Sequence, residues 1–341
     1  MELIDFAYYA GIILIALAMD FTLGEPPRII HPTRWMGLIV AWIDRRIPRG
    51  NALKEKFAGV FMAILVIVLF LLSTVLVLSL VKFFLGKIAW MLVSSYLFKS
   101  TFAIKDMEQH VKPIIDEILN GNLNGARWQV SRIVGRDVNS LNEQLILSAT
   151  VESVSENILD GFCSPQLFLA FAGVPGAILY RVVNTLDSMV GYRNEAHKNV
   201  GWFSAKLDDL ANWVSARITV PFIALASRLL GADWKGCLKI ALRDHNRTES
   251  PNSGWPMAAM AGALNTRLEK VGHYTIGSEY SLPGLEETHK SIRIMKASCL
   301  LFSLAMSPLA LIVGFFVQEL VENLLIKLIM NCLGWGLWCV I

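Results

Sequence analysis

The sequence predicts an all-α polytopic integral membrane protein, with broken or re-entrant hydrophobic segments and polar loops facing the cytoplasm. Three observations predict it. Hydrophobic residues make up 54% of the 341 residues, mean hydropathy is +0.50 and charged residues are only 17%, against roughly 25% in typical globular domains. Residues 57–81 run for 25 positions without a charge or a proline, where about 20 apolar residues suffice to cross the hydrocarbon. The remaining charge gathers in a few dense stretches, and lipid tolerates such groups only where they are paired, hydrated or functional.

Taken in order, residues 3–19 are apolar apart from Asp5 and lack the basic front and small-residue cleavage site of a signal peptide. A first membrane helix ending at Asp20 is expected. The stretch 20–37 holds Pro26, Pro27, Pro32 and Gly24, which exclude a regular helix interior. Its Asp20, Glu25, Arg28, His31 and Arg34 suit either an interfacial loop or the rim of a polar pocket. Between 24 and 56 seven basic residues face three acidic ones, a bias that places this loop in the cytoplasm and the N-terminus outside. The run 57–81 spans. A return crossing over 83–98 is expected, with Lys87 reaching to the interface.

Residues 106–148 read as short amphipathic helices with Ile114, Ile118, Trp128 and Ile133 on the apolar side, separated by a turn at Asn120, Gly121, Asn122 and Asn124. Residues 162–183 and 218–230 are apolar but broken by Pro165, Gly173, Pro175, Gly176 and Pro221. Full crossings would put the basic loop between them opposite the first one. Re-entrant segments, tolerable where protein or water covers the broken backbone, put every basic loop on one side, and this arrangement is the expected one. Residues 258–264 form a small-residue helix, 297–317 a further span and 324–341 a tryptophan-rich apolar end. The expected organisation is a single membrane-embedded domain over 1–341. Within it lie a basic cytoplasmic loop at 20–56, a central polar and acidic region at 99–217 and a second polar region at 233–296.

Composition excludes several classes. A net charge of +3 is too small to imply a nucleic-acid partner. Five scattered cysteines, Cys163, Cys237, Cys299, Cys332 and Cys339, fit neither a disulfide framework nor a zinc site. The chain has no phosphate-loop, dinucleotide or H-E-x-x-H motif.

The chemistry-bearing residues concentrate between 152 and 217. Glu152, Glu156 and Asp160 recur every four residues, which places them on one helix face. Two arrangements relieve their repulsion: a hard divalent ion such as magnesium ligated by all three, or shared protons on carboxyls of raised pKa. Asn157 sits beside the stripe as a donor to phosphate. Asn184, Asp187, Arg193 and Asn194 form a second group, with Asp208 and Asp209 adjacent to each other beyond it. Arg132, Arg136 and Asp137 are candidate anion contacts or solvated helix charges, arginine forks matching phosphate or carboxylate.

These motifs carry a family resemblance. DFTLGEPPRIIHPTRWMG, GRDVNSL, ESVSENILDG, YRVVNTLDSMVGYRNE, GWFSAKLDDLANW and SPNSGWPMAAMAGAL resemble the cobalamin biosynthesis membrane proteins CobD or CbiB, the adenosylcobinamide-phosphate synthases, in family order over essentially the whole chain. The resemblance implies a multi-pass cell-membrane enzyme with its active-site loops in the cytoplasm. Such an enzyme joins adenosylcobyric acid to (R)-1-amino-2-propanol or its O-phosphate as an amide, with ATP as cosubstrate and magnesium. The bilayer and other enzymes of the pathway are the implied partners. Glu152, Glu156, Asn157, Asp160, Asn184, Asp187, Arg193, Asp208 and Asp209 fall on the shared motifs. Met257 stands where the family has a glutamate after Gly-Trp-Pro, and Glu269–Lys270 replaces a glycine pair.

A carboxylate resists attack by an amine because its oxygen leaves poorly, so phosphoryl transfer to it must come first. The expected roles are magnesium on Glu152, Glu156 and Asp160, and phosphate or nucleotide contacts from Arg136, Asn184, Arg193, Asn194 and Asp209. Glu152, Glu156, Asn157, Asp187 and Asp208 serve the chemistry, with His31 or a carboxylate taking the amine proton. Two other classes compete: a transporter of a corrinoid or other anion, which predicts internal repeats and transport only in sealed vesicles, and a non-catalytic scaffold, which predicts indifference to neutralising the acidic stripe.

Overall fold

The computed structural model describes residues 3–192 and 194–332. The regular structure of the described residues is helical apart from one small hairpin. Among the described residues five segments are long and apolar enough to cross a membrane: Asp5–Leu23, Ala52–Lys99, Glu143–Val190, Trp202–Leu229 and Leu285–Leu328. This is the architecture of a polytopic membrane protein. The chain forms two compact units, Met1–Phe102, Pro165–Leu210 and Ala305–Ile341 making the first, and Ala103–Ser164 and Ala211–Leu304 the second.

In the first unit α1 (Leu3–Leu23) runs three residues past Asp20. The proline-rich loop then ends at His31, whose side chain caps α2 (Pro32–Asp44) by accepting the Thr33 N–H, with Pro32 in the first turn where its missing donor is harmless. α3 (Ala52–Lys99) starts on an Asn51 cap and breaks at Gly86, where φ is 80°. In a straight helix Lys82 and Trp90 would stand about 12 Å apart along the axis. Here the Lys82 ammonium lies 5.3 Å from the Trp90 ring, and the non-helical backbone at Gly86 divides the segment into two helical legs, the second over 87–99. α1 packs along that leg, Tyr9 meeting Trp90 edge-on at 5.6 Å. Lys87 is exposed and pairs with Asp5 at 2.6 Å.

In the second unit α4 (Lys105–Leu119) and α5 (Leu123–Val130) are the two amphipathic helices, joined through the Asn122 cap. Ile114, Ile118, Ala126 and Val130 pack with Val138, Leu141, Ile146 and Leu147 into one core, and Ile133 packs against it. Trp128 departs from expectation: it is exposed and stacks under Arg132 instead. α6 (Glu143–Ile158) runs into a π-helical turn, Leu159–Cys163, and then into α7 (Ser164–Val190).

Within the first unit α7 breaks at Ala172 and Gly173, the latter at φ 63°. Phe168 and Tyr180 rings lie 5.3 Å apart, against about 18 Å along a straight helix, so the chain doubles back inside this apolar segment. α8 (Trp202–Leu229) follows. The loop before it returns to the first basic loop: Asn199 donates to Glu55 at 3.0 Å and His197 lies 3.4 Å from Asp44. The two basic loops therefore meet at one end of this unit, while α8 runs unbroken through Pro221, where a broken segment was expected.

The second unit continues with α9 (Trp234–Asp244) and α10 (Gly254–Leu264), the small-residue helix, whose Met257 is fully buried. Strands β1 (Leu268–Lys270) and β2 (Tyr274–Ile276) pair antiparallel, Lys270 opposite Tyr274. α11 (Leu285–Leu309), a second π-turn at Ala310–Gly314 and α12 (Phe315–Cys332) complete the described chain. Residues 333–341 of the tryptophan-rich end lie outside the described residues.

Candidate functional site

Glu152 is the most heavily engaged of the predicted acids. It is 2% exposed. Arg136 donates to its Oε2, and the Tyr274 hydroxyl donates to the same oxygen at 2.7 Å. Ser148, one turn earlier on α6, donates to Oε1 at 2.9 Å and itself accepts the Glu269 N–H at 2.8 Å. Burial and the neighbouring Glu152 charge push the Tyr274 phenol well above its ordinary pKa, so the hydroxyl stays a donor.

Around this network lies a polar cavity of about 170 Å³, lined by Gly135, Arg136, Glu152, Ser153, Glu156, Lys270 and Tyr274 among others. Glu152 and Glu156 share the cavity face, as their spacing predicts. Among the described residues the Glu156 carboxylate accepts no hydrogen bond and the Lys270 ammonium forms no ion pair. An open carboxylate and an open ammonium thus stand beside a guanidinium in one small enclosure.

Asp160 falls on the π-turn, whose wider winding ends the four-residue register, and it does not line the cavity. Glu152, moreover, has both oxygens taken by protein donors. Among the described residues no three His, Cys, Asp or Glu side chains gather as a metal cluster. The residues therefore do not fit a magnesium site built on Glu152, Glu156 and Asp160. Asn157 also departs from expectation: its amide donates to the Ala103 carbonyl at 2.9 Å and contacts Met295 Sδ at 3.8 Å, holding elements of the unit together rather than facing the cavity.

A second group forms in the first unit. Arg181 donates to the Thr101 carbonyl and to Asn184 Oδ1 at 2.9 Å, and Asn184 reaches Asp208 at 3.4 Å. Asp187 is half-buried, with Asp208 and Asp209 as its electrostatic neighbours, and Asp209 pairs with Lys206 at 3.5 Å. Asn194 accepts the His197 N–H at 3.0 Å and so caps a turn. Arg193 lies outside the described residues.

Of the polar residues of 20–37, which suited either an interfacial loop or a pocket rim, Asp20, Glu25 and His31 join a charge cluster around Lys99, absent from the sequence reasoning, while Arg28 and Arg34 are exposed. Lys99 and Asp20 are fully buried and 3.1 Å apart, and Glu25 meets Lys99 at 2.8 Å. His31 Nε2 donates to Glu25 at 2.6 Å while Nδ1 accepts the Thr33 N–H. Both ring nitrogens are occupied, so His31 is a cap and a brace here, with no lone pair left for an amine proton. Burial pushes the Glu25 carboxyl up, but the His31 hydrogen bond and the Lys99 charge outweigh it and hold it below its ordinary value.

Sequence reasoning also missed Tyr274 and assigned no role to Lys270. The one signal was the Glu269–Lys270 departure, two charged residues just before a Val271–Gly272 turn.

Fold and site together define a polytopic helical membrane protein with a polar, charge-lined cavity beside α6. Comparison with known proteins specifies it further. The model of the CobD/Cbib protein family matches residues 13–301, and the chain belongs to that family, which links it to cobalamin biosynthesis. It is 36% identical to a probable cobalamin biosynthesis protein CobD of Methanothermobacter thermautotrophicus, over 89% of this chain and 98% of that one. It is 39% identical to one of Thermoplasma volcanium, over 83% and 91%, and 37% identical to the cobalamin biosynthesis protein CobD of Dehalococcoides mccartyi, over 79% and 86%. No solved structure matches.

Proposed function

We propose that the protein joins the free carboxylate of adenosylcobyric acid to (R)-1-amino-2-propanol or its O-phosphate, with ATP as cosubstrate entering as its magnesium complex. The observation that carries this is the open Glu156 carboxylate and open Lys270 ammonium beside Arg136 in one cavity. At about 170 Å³ that cavity is smaller than the roughly 300–1,000 Å³ of drug-sized ligand pockets. Its size suits the small amine or a single phosphoryl group and leaves the macrocycle outside.

The chemistry balances in two steps. The carboxylate oxygen attacks the γ-phosphorus and ADP leaves, giving an acyl phosphate. The amine nitrogen then attacks the acyl carbon, the C–O bond to phosphate breaks, and the amine proton passes to Glu156. Arg136 offsets the phosphoryl charge as it grows, and Lys270 takes the phosphate of the amine when the amine carries one. Glu152 accepts from Arg136 and Tyr274 and so holds the guanidinium in place.

The test is product formation by the purified protein in detergent, where no gradient exists. Adenosylcobyric acid, the amine and ATP should give the amide with one ADP per product, and Glu156→Gln should lower kcat about 10²–10⁴-fold, the range for a lost general base. Absence of amide from folded parent protein, with corrinoid accumulation in sealed vesicles, would replace this function with transport.

A further inference from the structure

A larger cavity of about 370 Å³ lies elsewhere in the second unit, between the end of α8, the start of α9, the end of α10 and α11. Lys290 and Arg293 line it from α11, and Asp233, the cap of α9, lines it from another element. Lys290 pairs with Glu286 at 2.6 Å. Among the described residues Arg293 forms no ion pair and donates no hydrogen bond. Asp233 spends Oδ1 on the Gly236 N–H at 2.8 Å. The last carbonyls of α10 add the negative end of a helix dipole beside it, where Asn265 takes the left-handed conformation. The cavity thus carries cations on one wall and negative charge on another.

Its depth is set by the spans. The candidate crossing Trp202–Leu229 ends at this cavity, and Leu285–Leu328 carries Lys290 and Arg293 near its start. Leu229 and Leu230 are exposed there. Trp234 lies beside them, flanked by the Arg228 guanidinium at 5.6 Å and the Lys235 ammonium at 5.7 Å. Tryptophan with basic residues at the end of an apolar helix is the pattern of a membrane–water boundary.

We propose that this cavity binds an aminoalkyl phosphate and that its occupant is the headgroup of phosphatidylethanolamine from the surrounding bilayer. The phosphate lies against Arg293 and Lys290. The ammonium donates to Asp233 and the end of α10, and the acyl chains leave over Leu229 and Leu230. A choline headgroup has no N–H to donate and is disfavoured. The site is separate from the Glu152 cavity and does not depend on the reaction proposed above.

The experiment exposes the full-length protein to mixed micelles of equal phosphatidylethanolamine and phosphatidylcholine, and quantifies the lipid retained after gel filtration by mass spectrometry. The parent should retain phosphatidylethanolamine about tenfold over phosphatidylcholine, the ratio that one charge-assisted contact supports. Arg293→Gln should lower its retention, and Asp233→Asn, which keeps the helix cap, should bring the ratio near one. Any variant that loses its helical circular dichroism is replaced by Lys290→Gln, on which the same measurement decides. Equal retention of both lipids by the parent overturns the proposal, as does a ratio unchanged in the variants. Displacement of bound lipid by free aminopropanol O-phosphate at equal concentration overturns the lipid as occupant and gives the cavity to the soluble phosphoamine.

Discussion

Tyr274 donates its hydroxyl to Glu152 at 2.7 Å, on the same carboxylate oxygen that receives Arg136. A β-hairpin and a buried helix are thereby fastened through one anion. Tyr274→Phe removes a donor from a buried carboxylate and should cost about 1.5–3 kcal/mol, the worth of a hydrogen bond to a charged acceptor. Thermal unfolding in detergent should fall by several degrees. Burial and Glu152 raise the Tyr274 pKa. Alkaline titration should therefore show no loss of tyrosinate absorbance in Tyr274→Phe at the pH where exposed tyrosines ionise. A lost increment there would place Tyr274 in contact with water.

Lys270 is the open cation of the smaller cavity, and a phosphate on the amine gives it a partner. Lys270→Gln should lower kcat/KM for aminopropanol O-phosphate by roughly 10–100-fold, the loss of one charge-assisted contact of about 1.5–3 kcal/mol. The unphosphorylated amine should be affected far less. An equal fall for both amines would assign Lys270 to the acyl phosphate or the corrinoid.

Lys99 is fully buried between Asp20 and Glu25. Lys99→Met removes the cation beside the buried Asp20 and half-buried Glu25 carboxylates and should destabilise by roughly 3–5 kcal/mol, whereas adding Asp20→Asn should recover part of that loss. Acid sharpens the test. Glu25 is held below its usual value of 4.5 by His31 and Lys99 against the pull of burial. Its contribution is complete above that value and disappears as pH falls through the lower folded one. Glu25→Gln should therefore flatten the acid limb of a plot of Tm against pH, and an unchanged limb would show that the pairing adds nothing.

The basic loops around Lys54 and Lys198 meet through Glu55 and Asn199 at 3.0 Å. Cysteines placed at Lys54 and Lys198, in a chain stripped of its five native cysteines, should both resist an impermeant reagent added outside intact cells and react in inverted vesicles. Labelling of either one from outside would reverse the orientation.

How much of this was legible in the sequence follows from the range of the forces involved. The span at 57–81 needs only composition, and its 25 uncharged residues announce it. The pairing of Glu152 and Glu156 on one face needs only helical spacing, and it holds for that pair. It fails at Asp160 because a π-turn adds a residue to the winding, and no local pattern marks that turn. Charged and polar partners from distant sequence were beyond reach: Lys99 for Asp20, Arg136 and Tyr274 for Glu152. Single residues in unremarkable surroundings find one another only through tertiary packing. His31 misled for the opposite reason, since its polar neighbours suggested a reactive rim while its backbone position made it a helix cap.

The hairpin that carries Lys270 and Tyr274 turns through Val271, Gly272 and His273, all exposed to solvent. Its loop is free of the constraints that lipid imposes on the spans, so it can change length and composition without disturbing how the protein inserts. If Lys270 takes the phosphate of the amine, as the Lys270→Gln comparison tests, the choice of amine can be engineered on a short exchangeable ribbon while the membrane frame stays constant. A graft of this ribbon alone between relatives is the smallest transplant that carries a new cation to the cavity wall.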